Sequence, residues 1–275
     1  MSPQRPLYFP VKAEPLRMQP GLFRFGTDFG NGAADQRFFP RDDAGARYLT
    51  EKARVLAAHP ERNAHVAVDT DEQRSVDAAA AWLSQQLAAE GLGAAAAAPL
   101  GELGRELVED FAILKRGADG DRVLWLHACF PSGWRPEHVL GRSFAEIHAG
   151  IPGIEQVLAK SQNLVDAMSE RGPYVRFVWT VTADDELDHH PSQGRRRAWS
   201  MQTQRGFLRV ERQTTVPLPH VGTSVFLIRT YLYGFEELAT EQRATLRAAL
   251  ERMPPEILRY KRLEAALPRA LELLR

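Results

Sequence analysis

The chain has 275 residues, 44% of them hydrophobic and 25% charged, with 35 basic against 35 acidic side chains and a formal net charge of zero. That length supports a substantial core, and the balanced charge gives no electrostatic reason for nucleic acid or an anionic membrane as the principal partner. A single cysteine, Cys129, excludes an internal disulfide, a CxxC zinc ribbon and an iron–sulfur cluster held by the chain's own cysteines.

The start, Met1 to Pro10, carries no apolar leader. No apolar run approaches the roughly 20 residues of a membrane span, so the expected location is cytoplasmic. The first forty residues are rich in Pro, Gly and aromatics, as in Tyr8-Phe9-Pro10 and Phe38-Phe39-Pro40, and are expected to form an ordered arm (1–40) packed on the domain. Asp42-Asp43 reads as an N-cap pair before a helix carrying Tyr48, Leu49, Lys52, Val55 and Leu56. From Asp71 to Glu90 the apolar positions Val76, Ala80, Leu83 and Leu87 recur at helical spacing, and Gly91 is placed to end that helix. Ala94 to Ala98, followed by Pro99, reads as a helical extension or a linker.

The apolar period then changes to two. Phe111–Lys115 and Val123–Phe130 read as strands joined by a Gly/Asp-rich hairpin turn over 116–122. A helix is predicted from Ile154 to Glu170, then three strands, Tyr174–Val181, Phe207–Thr214 and Thr223–Leu232. In the last, Val225, Leu227, Arg229 and Tyr231 share one face, and Phe226, Ile228 and Leu232 the other. Helical stripes follow through Leu246, Leu250 and Met253, then, after Pro254-Pro255, through Ile257, Tyr260, Leu263 and Leu267. The fold class expected is α+β: one domain over 1–275, with a largely antiparallel central sheet flanked by helices.

No GxxxxGK[ST], HExxH or GxSxG motif is present, so any chemistry falls to histidines, arginines, carboxylates or a bound cofactor. No residue is singled out as catalytic. The segment Cys129–Glu137, continuing through Leu140–Gly153, is dense in Gly, Pro, Trp, Arg and His and joins a strand to a helix, as site-building segments do. Its His148 reads either as a satisfied histidine at a helix entrance or as an axial metal ligand. His127, on a strand, is the alternative ligand if it faces the same cavity. His189-His190 reads as a solvated loop, His220 as a turn residue, and Arg195-Arg196-Arg197 as a charged loop that could dock an acidic redox partner.

Several separated stretches resemble the haem-dependent oxidative N-demethylase family. They are Phe130-Pro131-Ser132-Gly133-Trp134, Gly141 to His148 with Ile151-Pro152, Arg209-Val210-Glu211-Arg212-Gln213-Thr214 and Phe226-Leu227-Ile228-Arg229-Thr230-Tyr231. Glu51 to Leu56 and Tyr260-Lys261 fall in the same order. The resemblance implies a PAS-like fold carrying haem b. It further implies O2-dependent removal of an N-methyl group from a small amine with release of formaldehyde. Electrons would derive from NADPH through a separate flavin or iron–sulfur reductase subunit. It points to His148 as the iron ligand, with Arg176, Arg212, Arg229 and Trp134 as further haem contacts. Arg212 and Arg229 would meet propionates if they face the cavity, and are otherwise members of buried structural pairs; Trp134 would wall the pocket or belong to the core. The chain departs from the family pattern at Val178, where an Asn is usual, at Gly150 and at Pro217. Those departures keep open a non-catalytic haem- or ligand-binding role on the same scaffold.

Overall fold

The computed structural model describes residues 6–93, 98–117, 120–192 and 197–275. The predicted 94–98 segment and the tip of the predicted hairpin turn thus lie largely outside the described residues, as do residues 195 and 196 of the arginine triplet. The N-terminal half runs β1 (Phe23–Arg24), α1 (Gly45–Ala58), β2 (Asn63–His65), α2 (Thr70–Ala89) and α3 (Leu100–Glu106). A hairpin, β3 (Asp110–Gly117) and β4 (Gly120–His127), leads into three short helices, α4 (Phe144–His148), α5 (Glu155–Leu158) and α6 (Ser161–Glu170). Then come β5 (Tyr174–Thr182), β6 (Phe207–Leu218), β7 (Thr223–Gly234), α7 (Thr240–Glu251), α8 (Pro255–Tyr260) and α9 (Leu267–Leu273).

The strands form one seven-stranded sheet in the order β1-β5-β6-β7-β3-β4-β2, every neighbouring pair antiparallel. The α+β expectation therefore holds. Register fixes which side chains share a face. Phe177 lies opposite Arg212, which lies opposite Arg229. Arg176 lies opposite Gln213, which lies opposite Ile228. These two rows point to opposite sides of the sheet.

The first side is thoroughly covered. Val175, Val210, Val216, Val225 and Leu227 are buried there under α2, α3 and the C-terminal helices, which contribute Leu83, Leu103, Leu246, Leu250 and Ile257. Complete burial of such side chains stabilises by about 1.5–3 kcal/mol each. The arm joins this side: Tyr8, Val11 and Phe39 are buried in it, and β1 adds to the edge of β5. The second side is covered by α4 and α6, where Phe144, Val165 and Met168 pack on Ala112, Leu114 and Leu126. That cover is incomplete: Arg176, Val178, Thr180, Gln213, Phe226 and Ile228 remain half-exposed.

Local rules explain the boundaries. Asp69 and Glu72 form a reciprocal capping box that starts α2. Asp42 accepts from the Ala44 amide, but α1 begins at Gly45 without a side-chain cap, so the predicted N-cap pair is not one. The single helix predicted over 154–170 is two. The chain tightens at Lys160, whose amide donates to Val157 three residues back, and α6 restarts at Ser161. Both pieces still present apolar side chains to one cluster, Val157 and Leu158 from the first, Leu164, Val165 and Met168 from the second. Tyr260, predicted on an apolar stripe, is 46% exposed.

Candidate functional site

The loop after β4 doubles back along that strand. Gly141 donates to the Val123 carbonyl at 2.9 Å, and Val123 donates to Arg142 at 3.0 Å. The turn needs Gly141 at φ +74°, where side chains with a Cβ are strained. Ser143 and Glu146 then form a capping box at the start of α4. The Phe144 amide donates to Asp121 of β4 at 2.6 Å, which ties the helix to the sheet.

This anchored turn carries His148 at its end. The Nδ1 of His148 lies 2.7 Å from the Phe144 carbonyl, and its ring stacks on the Phe144 ring with centroids 4.1 Å apart. A carbonyl only accepts, so Nδ1 carries the proton and Nε2 keeps the lone pair. Burial lowers the imidazole pKa; the bond to Phe144 opposes this, the Arg176 charge adds to it, and Asp121 opposes it. A neutral, oriented imidazole with a free lone pair is the form that binds a metal.

The Arg176 charge that acts on His148 comes from the incompletely covered side of the sheet. Arg176 Nε is buried without a hydrogen-bond partner, and burial lowers the guanidinium pKa while Glu211 raises it. Glu211 shares this side and accepts from Gln213 Nε2 at 3.0 Å. Lys261 donates to the Trp179 carbonyl of β5 at 2.8 Å. Burial brings its ammonium down to about 8, with Glu211 working the other way. Trp134 packs, half-buried, into the cluster that holds Phe144 and Ile147.

Residues 76–271 match the family described as haem-dependent oxidative N-demethylase, alpha subunit-like. The chain belongs to this family. The matched range contains the Phe130–Trp134, Gly141–His148, Arg209–Thr214 and Phe226–Tyr231 stretches; Glu51–Leu56 lies before it.

A haem-dependent N-demethylase needs a neutral axial ligand, an apolar slot and a cation for the propionates, and this site supplies candidates for each. They are His148, the half-exposed Val178, Phe226 and Ile228, and the unsatisfied Arg176 guanidinium. Of the five expected haem contacts, the fold brings His148, Arg176 and Trp134 to one side of the sheet. Arg212 and Arg229 project from the other, where Arg212 donates to the Arg37 carbonyl and Arg229 to Asp42. One prosthetic group on one side cannot touch both sets.

Two other expectations are corrected. His127 does not share a cavity with His148: it lies opposite Phe111 on the covered side, fully buried and stacked on that ring. Its ring, the Cys129 thiol and Asp110 bring ligand atoms within 4.8 Å of one another. The Lys52 ammonium already meets Asp110 there, at 3.2 Å, and fills the role of a cation. His189 and His190 are not solvated; both are buried, His189 against Asp184 at 2.9 Å and His190 against Glu137 at 3.1 Å. Asp184 follows directly on β5 and Glu137 lies in the loop after β4, so the burial of both histidines depends on tertiary contacts that local hydropathy does not carry. Glu211 and Lys261 lie inside the stretches that resemble the family, where the sequence offers Glu211 only as an acid partner for a buried arginine; the alternation of β6 places it beside Arg176 once the strands are paired. No described helix is long and apolar enough to cross a membrane.

Proposed function

We propose that this chain is a haem-b-dependent monooxygenase that removes an N-methyl group from a small secondary or tertiary amine. The reaction consumes O2 and two electrons from a separate NADPH-driven reductase. It yields the demethylated amine, formaldehyde and water. The observation that carries this reading is the His148 imidazole, held by the Phe144 carbonyl at 2.7 Å beside a half-exposed sheet surface that also presents Arg176.

Haem bound there supplies the O2 chemistry. The protein supplies the rest. His148 offers Nε2 to the iron, its tautomer fixed through Nδ1. Arg176 offers an unpaired guanidinium to a propionate. Trp134, Val178 and Ile228 exclude water from the same surface. The Glu211 carboxylate accepts a hydrogen bond from the N–H of the protonated amine, and the neighbouring Lys261, brought down to about 8, exchanges protons near neutral pH.

Val178 favours one rival. It stands half-exposed, two residues from Arg176, where the family pattern has a polar Asn, and its loss is consistent with a haem protein that binds a ligand without turning it over. Incubating the haem-loaded protein with NADPH, a reductase and dimethylamine separates the two. Amine-dependent formaldehyde release supports the monooxygenase. Haem that is reduced while no formaldehyde appears, across a panel of small methylamines, supports the rival.

A further inference from the structure

Between β5 and β6 the chain crosses to the loop after β4 and is fastened there. The His189 amide donates to the Pro131 carbonyl at 3.1 Å, and the His190 amide to Asp188 Oδ1 at 3.0 Å. Asp188 in turn faces Arg62 at 3.5 Å, both side chains buried. These contacts fix the His190 backbone and keep its side chain only 5% exposed, whereas Ser192, two residues on, is exposed. Neither residue lies in a stretch that resembles the N-demethylase family, and the haem reading uses neither.

Both ring nitrogens of His190 are partnered. Nε2 lies 3.1 Å from Glu137 Oε2 and 3.3 Å from Oε1. Nδ1 lies 2.7 Å from the Ser192 hydroxyl and 3.2 Å from the Ser192 amide. A backbone amide can only donate, so Nδ1 holds the lone pair and Nε2 carries the proton toward Glu137. The Ser192 hydroxyl therefore donates its own proton to Nδ1. Burial raises the Glu137 pKa, but its own amide, His190 and Arg135, the last at 3.1 Å, bring it down to about 2, so this partner is a carboxylate. A hydroxyl hydrogen-bonded to an imidazole lone pair, with a carboxylate on the opposite nitrogen, is the arrangement that activates serine for attack.

We propose that Ser192 is a catalytic nucleophile, with His190 as its base and Glu137 as the positioning residue, and that this site cleaves small activated carboxylic esters. Ser192 Oγ attacks the ester carbonyl carbon while its proton passes to His190 Nδ1. The bond to the leaving oxygen breaks, and that oxygen takes the proton from Nδ1. Water, deprotonated by the same nitrogen, then releases the acid and restores the hydroxyl. An exposed serine of this kind acts on esters with good leaving groups, such as aryl acetates, which need the least stabilisation of the tetrahedral oxyanion.

A fluorophosphonate probe and p-nitrophenyl acetate, each added to the full chain with and without haem, test this. The expected result is a probe adduct on the Ser192 peptide, formed with loss of fluoride, and ester turnover that Ser192→Ala abolishes. Glu137→Gln is expected to lower kcat roughly a hundredfold with KM little changed, and His190→Gln by at least as much. No adduct at Ser192 overturns the proposal. So does an adduct that forms equally fast in His190→Gln, as a bond that merely shapes the turn would give. Equal rates in the parent and in Glu137→Gln overturn it as well, and that exposed position reads out even where His190→Gln does not fold. The measurements need no haem, so a failed haem assignment leaves their outcome intact.

Discussion

His148 and Arg176 differ in what their removal exposes. His148 sits at the end of a helix whose start is secured separately by the Ser143–Glu146 box and by Asp121, so replacing the imidazole leaves the turn in place. Arg176 is half-buried, with its Nε enclosed and unsatisfied. Without a ligand, its charge costs free energy rather than contributing it. The account therefore predicts that Arg176→Met leaves the melting temperature of the haem-free protein unchanged or higher. The same variant should weaken haem retention by roughly tenfold to a hundredfold, the worth of a charged hydrogen bond of about 1.5–3 kcal/mol. Haem transfer to an apo-globin acceptor measures this; unchanged retention would remove Arg176 from the site.

Among elements, α3 illustrates where sequence patterns run out. Its seven residues include Gly101 and Gly104, which read as breakers, and no helix was expected there. Tertiary fit explains the glycine: a Cβ at Gly104 would lie 2.4 Å from His127 Nδ1. Gly104→Ala is accordingly predicted to destabilise by about 1–3 kcal/mol despite alanine's better helix propensity, and His127→Ala in the same chain to relieve much of the added strain. Denaturant titrations of the single and double variants check this; independent, additive losses would contradict it. The strands, by contrast, were legible. Alternation along 223–232 placed Arg229 with Leu227 and Tyr231 and apart from Ile228, as the register confirms. What a single strand could not tell was which face its neighbour's arginine shared. Arg176 and Arg212 therefore separate only once β5 is paired with β6. The break at Lys160 was hidden because both helical pieces keep their apolar residues toward one cluster.

At the scale of the molecule, the sheet divides two chemistries. One side, under the arm and most of the longer helices, is closed and carries the Arg212–Arg229 pair. The other, under short helices, stays partly open beside His148. The family stretches were legible in the sequence and span both sides, which is why they pointed to haem without saying which arginines could reach it. The absorption spectrum of the chain expressed with haem precursor, beside His148→Ala, tests the central assignment most directly. The account predicts a Soret band in the parent that is lost or shifted in the variant. No Soret band in the parent after haem reconstitution, or a band indifferent to His148→Ala, would contradict it.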